Sequence, residues 1–413
     1  MESCVYNMSM RMLAGIFWFA ALFNKKARLS LRGRKESRHS IKGVFGKADR
    51  VVWVHCASLG EFEQGRPIIE KIKEQYPHYK IAVTFFSPSG YEVRKNYELA
   101  DWIGYIPFDT RSRVEAFVKE LNPELVYFVK YEFWHNLIRA AKRHGAKLYL
   151  VSGIFRKNQS FFKFYGKWFR ESLKCFDKLF VQNEASSKLL KSIRIENCEI
   201  CGDTRFDRVI QIAERSKDFP LIEEFSQNNK VVIGGSTWPP DEDIISEYFN
   251  RKCVDIPDLK VIIAPHEFDS KRIEAIKSRF KGSVCTIDEL ERNNNTSCRV
   301  LIVNCFGMLS SIYKYAFMAH VGGGFGKSIH NLPEAAVYGI PVSFGPRNEK
   351  FQEAQALKEC GGGIEVSNYV EYEEFMSKVI SDYAMYKELC NSSKDYIYRN
   401  QGATTKIVSE TVH

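Results

Sequence analysis

Two series of short apolar runs, each run followed by a helical or turn signal, constrain this chain more than any other feature. In the first series the runs fall at 51–55, 80–86, 102–108, 125–129, 148–151 and 178–181. In the second they fall at 231–233, 260–264, 284–287, 300–303, 318–321 and 341–344. Many are apolar throughout and rich in β-branched or aromatic residues, as strands buried on both faces must be. Helical stretches at 68–76, 111–121 and 133–143 separate several of them. That rhythm predicts βαβ units and parallel sheets. With 413 residues, two domains are the expectation. The polar stretch 214–230 marks a join near 220, with two Rossmann-like halves and a cleft between them. The stretch 369–405 reads as helical and is expected to pack back across both halves.

Parallel α/β sheets keep ligands at the carboxyl ends of their strands, so the turns after the apolar runs are where chemistry is sought. The first run, Val51 to His55, leads into Cys56-Ala57-Ser58-Leu59-Gly60-Glu61. Gly60 allows close approach to the backbone, and Glu61 is a candidate acceptor for a substrate hydroxyl proton. Equally, Glu61 can simply complement a helix dipole in the first turn. Pro67 means that this helix either starts near Arg66 or kinks.

In the second half, Gly234-Gly235-Ser236-Thr237 is a turn of small and hydroxyl residues suited to an anion near backbone N–H groups. Gly307 is placed to open a helix after the run at 300–303, either as an ordinary start or as a phosphate site. The densest cluster is Val321-Gly322-Gly323-Gly324-Phe325-Gly326-Lys327-Ser328-Ile329-His330-Asn331-Leu332-Pro333-Glu334. Asn331 is expected as an N-cap with Glu334 completing the cap, and Pro333 suits the first turn. A second role for Glu334 is a bidentate carboxylate for ribose hydroxyls. Lys327 and His330 would add donors beside a phosphate. His266, just past a strand end, is either a packing residue or part of the same site. A G-x-x-x-x-G-K-[ST] pattern is missing, which disfavours a P-loop enzyme.

The 11 cysteines are scattered among apolar runs, as reduced thiols of a cytoplasmic compartment would be. The net charge of +10 suggests an anionic partner. The amino terminus sharpens that suggestion. Met8 to Phe23 is largely apolar, short of the roughly 20 residues a bilayer span needs. Lys25, Lys26, Arg28, Arg32, Arg34, Lys35 and Arg38 come after it. This pattern reads as a membrane anchor, inserted or interfacial, with the charges on anionic headgroups. The plainer alternative is a buried helix with a solvated basic tail.

Taken in order, these segments resemble the 3-deoxy-D-manno-oct-2-ulosonic acid (Kdo) transferases, membrane-associated glycosyltransferases of lipopolysaccharide biosynthesis with the two-domain GT-B fold. The resemblance rests on His55-Cys56-Ala57-Ser58-Leu59-Gly60-Glu61, Thr84 to Glu92, Tyr131-Glu132-Phe133-Trp134-His135-Asn136, Gln182-Asn183-Glu184, Gly202 to Asp207, Gly235-Ser236-Thr237, Pro265-His266, Phe306-Gly307 and His330 to Glu334. It implies transfer of Kdo from CMP-Kdo to a hydroxyl of a lipid A precursor, inverting, with no metal and no cofactor. It makes Glu61 the general base. It places CMP on Ser236, Thr237, His266, Gly307, Met308, Leu309, Lys327, His330, Asn331 and Glu334. It places the acceptor near Ser58, Gly60, Arg66, Ser87 and Ser89. The expected organisation is a membrane anchor and basic segment at 1–40, an acceptor domain at 41–220 and a CMP-sugar donor domain at 221–413, its last helix crossing back. The expected location is the cytoplasmic face of the inner membrane, with no nucleic-acid partner. The chain departs from the family pattern at Lys130, His135, Ile154, Asn304, Met308, Ser328, Ile329 and Ala335.

Two readings compete with this one. A nucleotide-sugar epimerase could use the same fold, and a membrane-bound carbohydrate or nucleic-acid binding module is compatible with the charge. The apolar basic amino terminus speaks against a wholly soluble substrate, and no basic stripe interleaved with aromatics stands out.

Overall fold

A computed structural model describes residues 2–293, 297–326 and 328–413. The chain divides into two compact units, Met1–Arg208 with Gln401–His413, and Val209–Asn400.

The first unit is built on seven strands: β1 (Val51–Cys56), β2 (Lys80–Phe85), β3 (Trp102–Tyr105), β4 (Leu125–Val129), β5 (Lys147–Gly153), β6 (Lys178–Val181) and β7 (Cys198–Ile200). They form one sheet in the order β3-β2-β1-β4-β5-β6-β7, with every pairing parallel. β1 and β4 are buried along their whole length. Alternate residues of β1 feed opposite faces: Val51 and Trp53 join one core, and Val52, Val54 and Cys56 the other. This two-sided burial is why the runs are apolar without alternation.

The second unit repeats the plan with β8 (Lys230–Thr237), β9 (Leu259–Pro265), β10 (Val284–Thr286), β11 (Val300–Ile302), β12 (Met318–Val321), β13 (Val342–Phe344) and β14 (Gly363–Glu365). Its order is β10-β11-β9-β8-β12-β13-β14, again parallel throughout.

In each sheet the chain first builds one side of its first strand, with β10 at the edge and β11 between it and β9 in the second sheet, then returns to lie on that strand's other side. The direction therefore reverses between β1 and β4 and between β8 and β12. Two adjacent loops diverge at such a point, leaving a crevice at the carboxyl ends of the strands.

Four helices of the first unit carry its crevice turns and its amino-terminal segment: α1 (Glu2–Ala20), α2 (Lys25–Ser40), α3 (Leu59–Gln75) and α4 (Pro88–Arg94). Pro67 lies inside α3, so the helix neither waits for Arg66 nor ends there. Against an expected join near 220, the units divide at 208/209. The helix Thr204–Glu214 straddles the division, so no composition change marks it. The helix Ala403–Thr411 belongs to the first unit. There Ile407, Val408 and Val412 enter the core, and Asp207 accepts from the N–H groups of Gly402 and Thr404 at 2.6 and 2.7 Å.

The amino-terminal segment is not separate from the first unit. Phe17 meets Phe86 and Phe108 edge-on, and the Tyr6 hydroxyl donates to Asp109 at 2.5 Å. The opposite side of α1 and the turn after it leave Met8, Met12, Ile16, Trp18, Phe19 and Phe23 exposed. No helix among the described residues is long and apolar enough to cross a membrane.

Candidate functional site

The crevice of the first unit opens between the turns after β1 and β4. Ser58 precedes α3 in extended conformation and its N–H donates to Glu61 Oε2 at 3.0 Å. Its hydroxyl reaches the same oxygen at 3.4 Å. Glu61 thus does complement the start of a helix, as the plainer reading had it. Yet the carboxylate is only 9% exposed, and burial followed by the charge of Glu132 raises it above the usual carboxylate value, against His55 and the N–H groups of Ser58 and Ala57. A buried acid whose affinity for a proton is raised is what a general base near neutral pH requires.

The loop after β2 is tied to this turn. Phe86 and Ser87 donate their N–H groups to the Ala57 carbonyl at 3.3 and 2.8 Å. Ser87 caps α4, accepts from the Ser89 N–H at 3.3 Å and lies 2.9 Å from its hydroxyl. Ser58, Gly60, Glu61, Ser87 and Ser89 therefore form one rim. Arg66 is engaged elsewhere, donating to Glu70 at 2.7 Å and lying 4.0 Å from Glu63.

Two residues not singled out for the site belong beside Glu61. His55, the penultimate residue of β1, lies 3.4 Å from Glu132, which comes just after β4. The available signal was a histidine closing an otherwise apolar run. Lys130, two residues earlier, holds a left-handed φ of 64°, an unusual conformation for a long side chain and common near functional sites. His135 stacks on Trp168 at 3.9 Å, and burial pushes it down to about 4. Ile154 is a core residue.

The second unit's crevice is made by the turns after β8 and β12. Ser236 has a left-handed φ of 52°. Thr237 is fully buried and its hydroxyl donates to Glu242 at 2.9 Å, so it shapes the turn from within. Gly235 leaves room for Tyr313, since a Cβ there would sit 1.8 Å from the Tyr313 hydroxyl and one of the two would have to shift. Asp241 ties the two turns together, accepting from the N–H groups of Trp238 at 2.8 Å and Gly323 at 3.1 Å. Despite its burial, His320 and these N–H groups hold Asp241 below the usual carboxylate value.

Trp238 stacks on His266 at 4.8 Å, and His266 lies 4.6 Å from the His330 ring. The Trp238 indole donates to His330 Nε2 at 3.3 Å. Burial, then His266, lowers His330 below the usual imidazole value. The sequence pattern put His266 and His330 near one another but gave Trp238 no role.

The glycine loop corrects one expectation. Asn331 does not cap the next helix; Leu332 precedes Pro333–Ala336 directly, with Pro333 in its first turn. Asn331 instead donates its amide to Glu334 at 2.7 Å, because residues 331–334 already turn tightly and bring the two side chains together. Glu334 lies close enough to Tyr313 to raise its phenol, after burial. Gly307, with φ 87°, precedes rather than opens the short helix Leu309–Ile312, and Met308 is its N-cap. Asn304 donates to Asp288 at 2.7 Å. Ile329 is buried and Ala335 lies in the short helix. Lys327 lies outside the described residues.

Residues 27–208 match the family described as "3-Deoxy-D-manno-octulosonic-acid transferase (kdotransferase)". The chain is 28% identical to the 3-deoxy-D-manno-octulosonic acid transferase of Aquifex aeolicus over 84% of its own length and 89% of the relative's. It is 25% identical to that of Chlamydia trachomatis over 80% of its length and 78% of the relative's. Among solved structures, the UDP-GlcNAc 2-epimerase of Neisseria meningitidis bound to UDP-GlcNAc matches with a TM-score of 0.62 at 16% identity, covering 88% of this chain and 99% of that one. Anabaena HepE in complex with UDP matches with a TM-score of 0.55 at 12% identity, covering 88% and 99%. At such identities the structural likeness is one of fold. The sequence relatives carry the rest: the chain is a relative of the Kdo transferases, and it is a glycosyltransferase enzyme.

Proposed function

We propose that this relative of the Kdo transferases moves Kdo from CMP-Kdo to a hydroxyl of a lipid A precursor, by direct displacement with inversion. The observation that carries the reading is the placement of Glu61, a buried carboxylate at a strand-order reversal with raised proton affinity.

In this reading Glu61 takes the acceptor's hydroxyl proton as the hydroxyl oxygen bonds to the anomeric carbon of Kdo. The bond from that carbon to the phosphate oxygen breaks, and CMP leaves with the electron pair. The rim of Ser58, Gly60, Ser87 and Ser89 supplies donors and close backbone approach for the acceptor sugar. The second unit holds CMP, with Glu334 on the ribose hydroxyls. The Ser236 turn, Gly307 to Leu309, His266 and His330 face the phosphate, where N–H groups and imidazoles stabilise growing negative charge.

We also infer that the protein works at the cytoplasmic face of the inner membrane, lying on it rather than spanning it. The exposed apolar side of α1 suits the headgroup boundary. Helix α2 and residues 105–120 line a cavity of about 570 Å³ that presents Arg34, Lys35, Arg38, Lys42 and Arg113, with Glu120 as its carboxylate. Such a basic surface attracts anionic lipid at about 1 kcal/mol per cation.

The test is product analysis. Purified chain, CMP-Kdo and a tetra-acylated, phosphorylated glucosamine disaccharide should give CMP and a Kdo-bearing lipid, read by mass spectrometry. An unaltered lipid with intact CMP-Kdo, or isomerisation of an added sugar nucleotide, would overturn the proposal.

A further inference from the structure

Behind Glu61 runs a line of polar side chains that the transfer step leaves unused. The Trp53 indole N–H donates to Thr84 Oγ1 at 2.7 Å, and the same oxygen lies 2.9 Å from His55 Nδ1. All three residues are fully buried. The hydroxyl accepts from Trp53, and His55 Nδ1 is the acceptor within reach of its own proton among the described residues. Thr84 therefore donates to Nδ1, which leaves the ring proton on Nε2. Nε2 is buried without a formed hydrogen bond and lies 3.4 Å from Glu132 Oε2, an oxygen that accepts from the Trp134 indole at 2.7 Å.

We propose that His55, fixed as its Nε2–H tautomer by Thr84, is a positioning residue that holds Glu132 beside Glu61. The inference rests on the role of Glu61 proposed above. Both acids flank the same strand-order reversal, Glu61 after β1 and Glu132 after β4.

The groups facing Glu61 can be counted. On β1 they are His55 and Cys56, and burial with the nearby carboxylates pushes the Cys56 thiol up, so it stays neutral. On α3 Glu63 is offset by Arg94 at 2.7 Å and Arg66 at 4.0 Å. Burial raises Glu61's affinity for a proton first, and the charge of Glu132 adds to it. The position of Glu132 therefore tunes how strong a base Glu61 is.

The experiment is the pH dependence of kcat/KM for the purified full chain and four variants, with the His55 tautomer read by ¹⁵N NMR. Glu132→Gln should move the acid limb to lower pH by about half a unit or more. Thr84→Val should shift the limb the same way and lower kcat about tenfold, leaving the acceptor KM unchanged. Thr84→Ser, which keeps the hydroxyl, should behave as the parent. The parent should show the Nε2–H tautomer at His55, a measurement that decides the matter even if Thr84→Val fails to fold. An acid limb that stays in place in Glu132→Gln, or an Nδ1–H tautomer in the parent, would overturn the inference. Glu61→Gln is the separate control: retained turnover there would overturn the base role itself.

Discussion

The two units share a strand plan and put opposite chemistry on it. At the first reversal stand carboxylates, Glu61 and Glu132, with one imidazole beside them. At the second stand His266, His330, a glycine loop and the strained Ser236 turn, with the acids Asp241 and Glu242 turned to internal hydrogen bonds. A parallel sheet offers the same crevice twice. The residues after the first strand decide whether it removes protons or receives an anion.

The comparison breaks most visibly at Gly235. Gly235→Ala would press a methyl onto Tyr313, costing about 1–3 kcal/mol. If strain in the second unit is kept to the anion site, CMP affinity should fall about tenfold to a hundredfold by titration calorimetry. A variant with parental CMP affinity would show that the turn is not part of the donor site.

Glu334→Ala sharpens the contrast by removing the carboxylate assigned to the ribose at the second site. CMP should bind about tenfold more weakly, as expected for a lost charged hydrogen bond, while 2′,3′-dideoxy-CMP should bind the variant and the parent alike. Smaller still is the effect of Lys35→Glu with Arg38→Glu. Sedimentation with phosphatidylglycerol vesicles should weaken several-fold per charge, with little change on phosphatidylcholine.

How much of this contrast was legible in the sequence depends on where each feature's signal resides. β4, β6 and β12 stand where their apolar runs did, because central strands are buried on both faces. β7 and β14 escaped because each is a sheet edge of three half-exposed or exposed residues, Cys198–Ile200 and Gly363–Glu365, too short and too polar to form a run. Glu61, the glycine loop and Glu334 were readable as local patterns. The pairing of His55 with Glu132, and of Trp238 with His330, was not, because strand order and not spacing brings those residues together. The Asn331 cap failed because the helix begins one residue later, after Leu332, so the Asn331 side-chain oxygen meets no helical N–H while its NH2 donates to Glu334.

The smallest effect concerns stability. Glu61 binds its proton more tightly in the folded state. The native chain therefore holds more protons than the unfolded one between the ordinary value of about 4.3 and the raised one, and stability falls as pH rises through that window. Above it, Glu61→Gln removes the burden of a buried charge. The melting temperature at pH 7 should rise by about 2 °C, and by less at pH 4. A fall at pH 7 would mean that the Ser58 hydrogen bond outweighs burial of the charge.

The division of labour between the units is tested most directly by measuring turnover and CMP affinity on one preparation of Glu61→Gln. The account predicts turnover reduced by about 10²–10⁴-fold, with CMP affinity within about twofold of the parent, since the second unit is untouched. Parental turnover, or loss of CMP binding together with turnover, would contradict it.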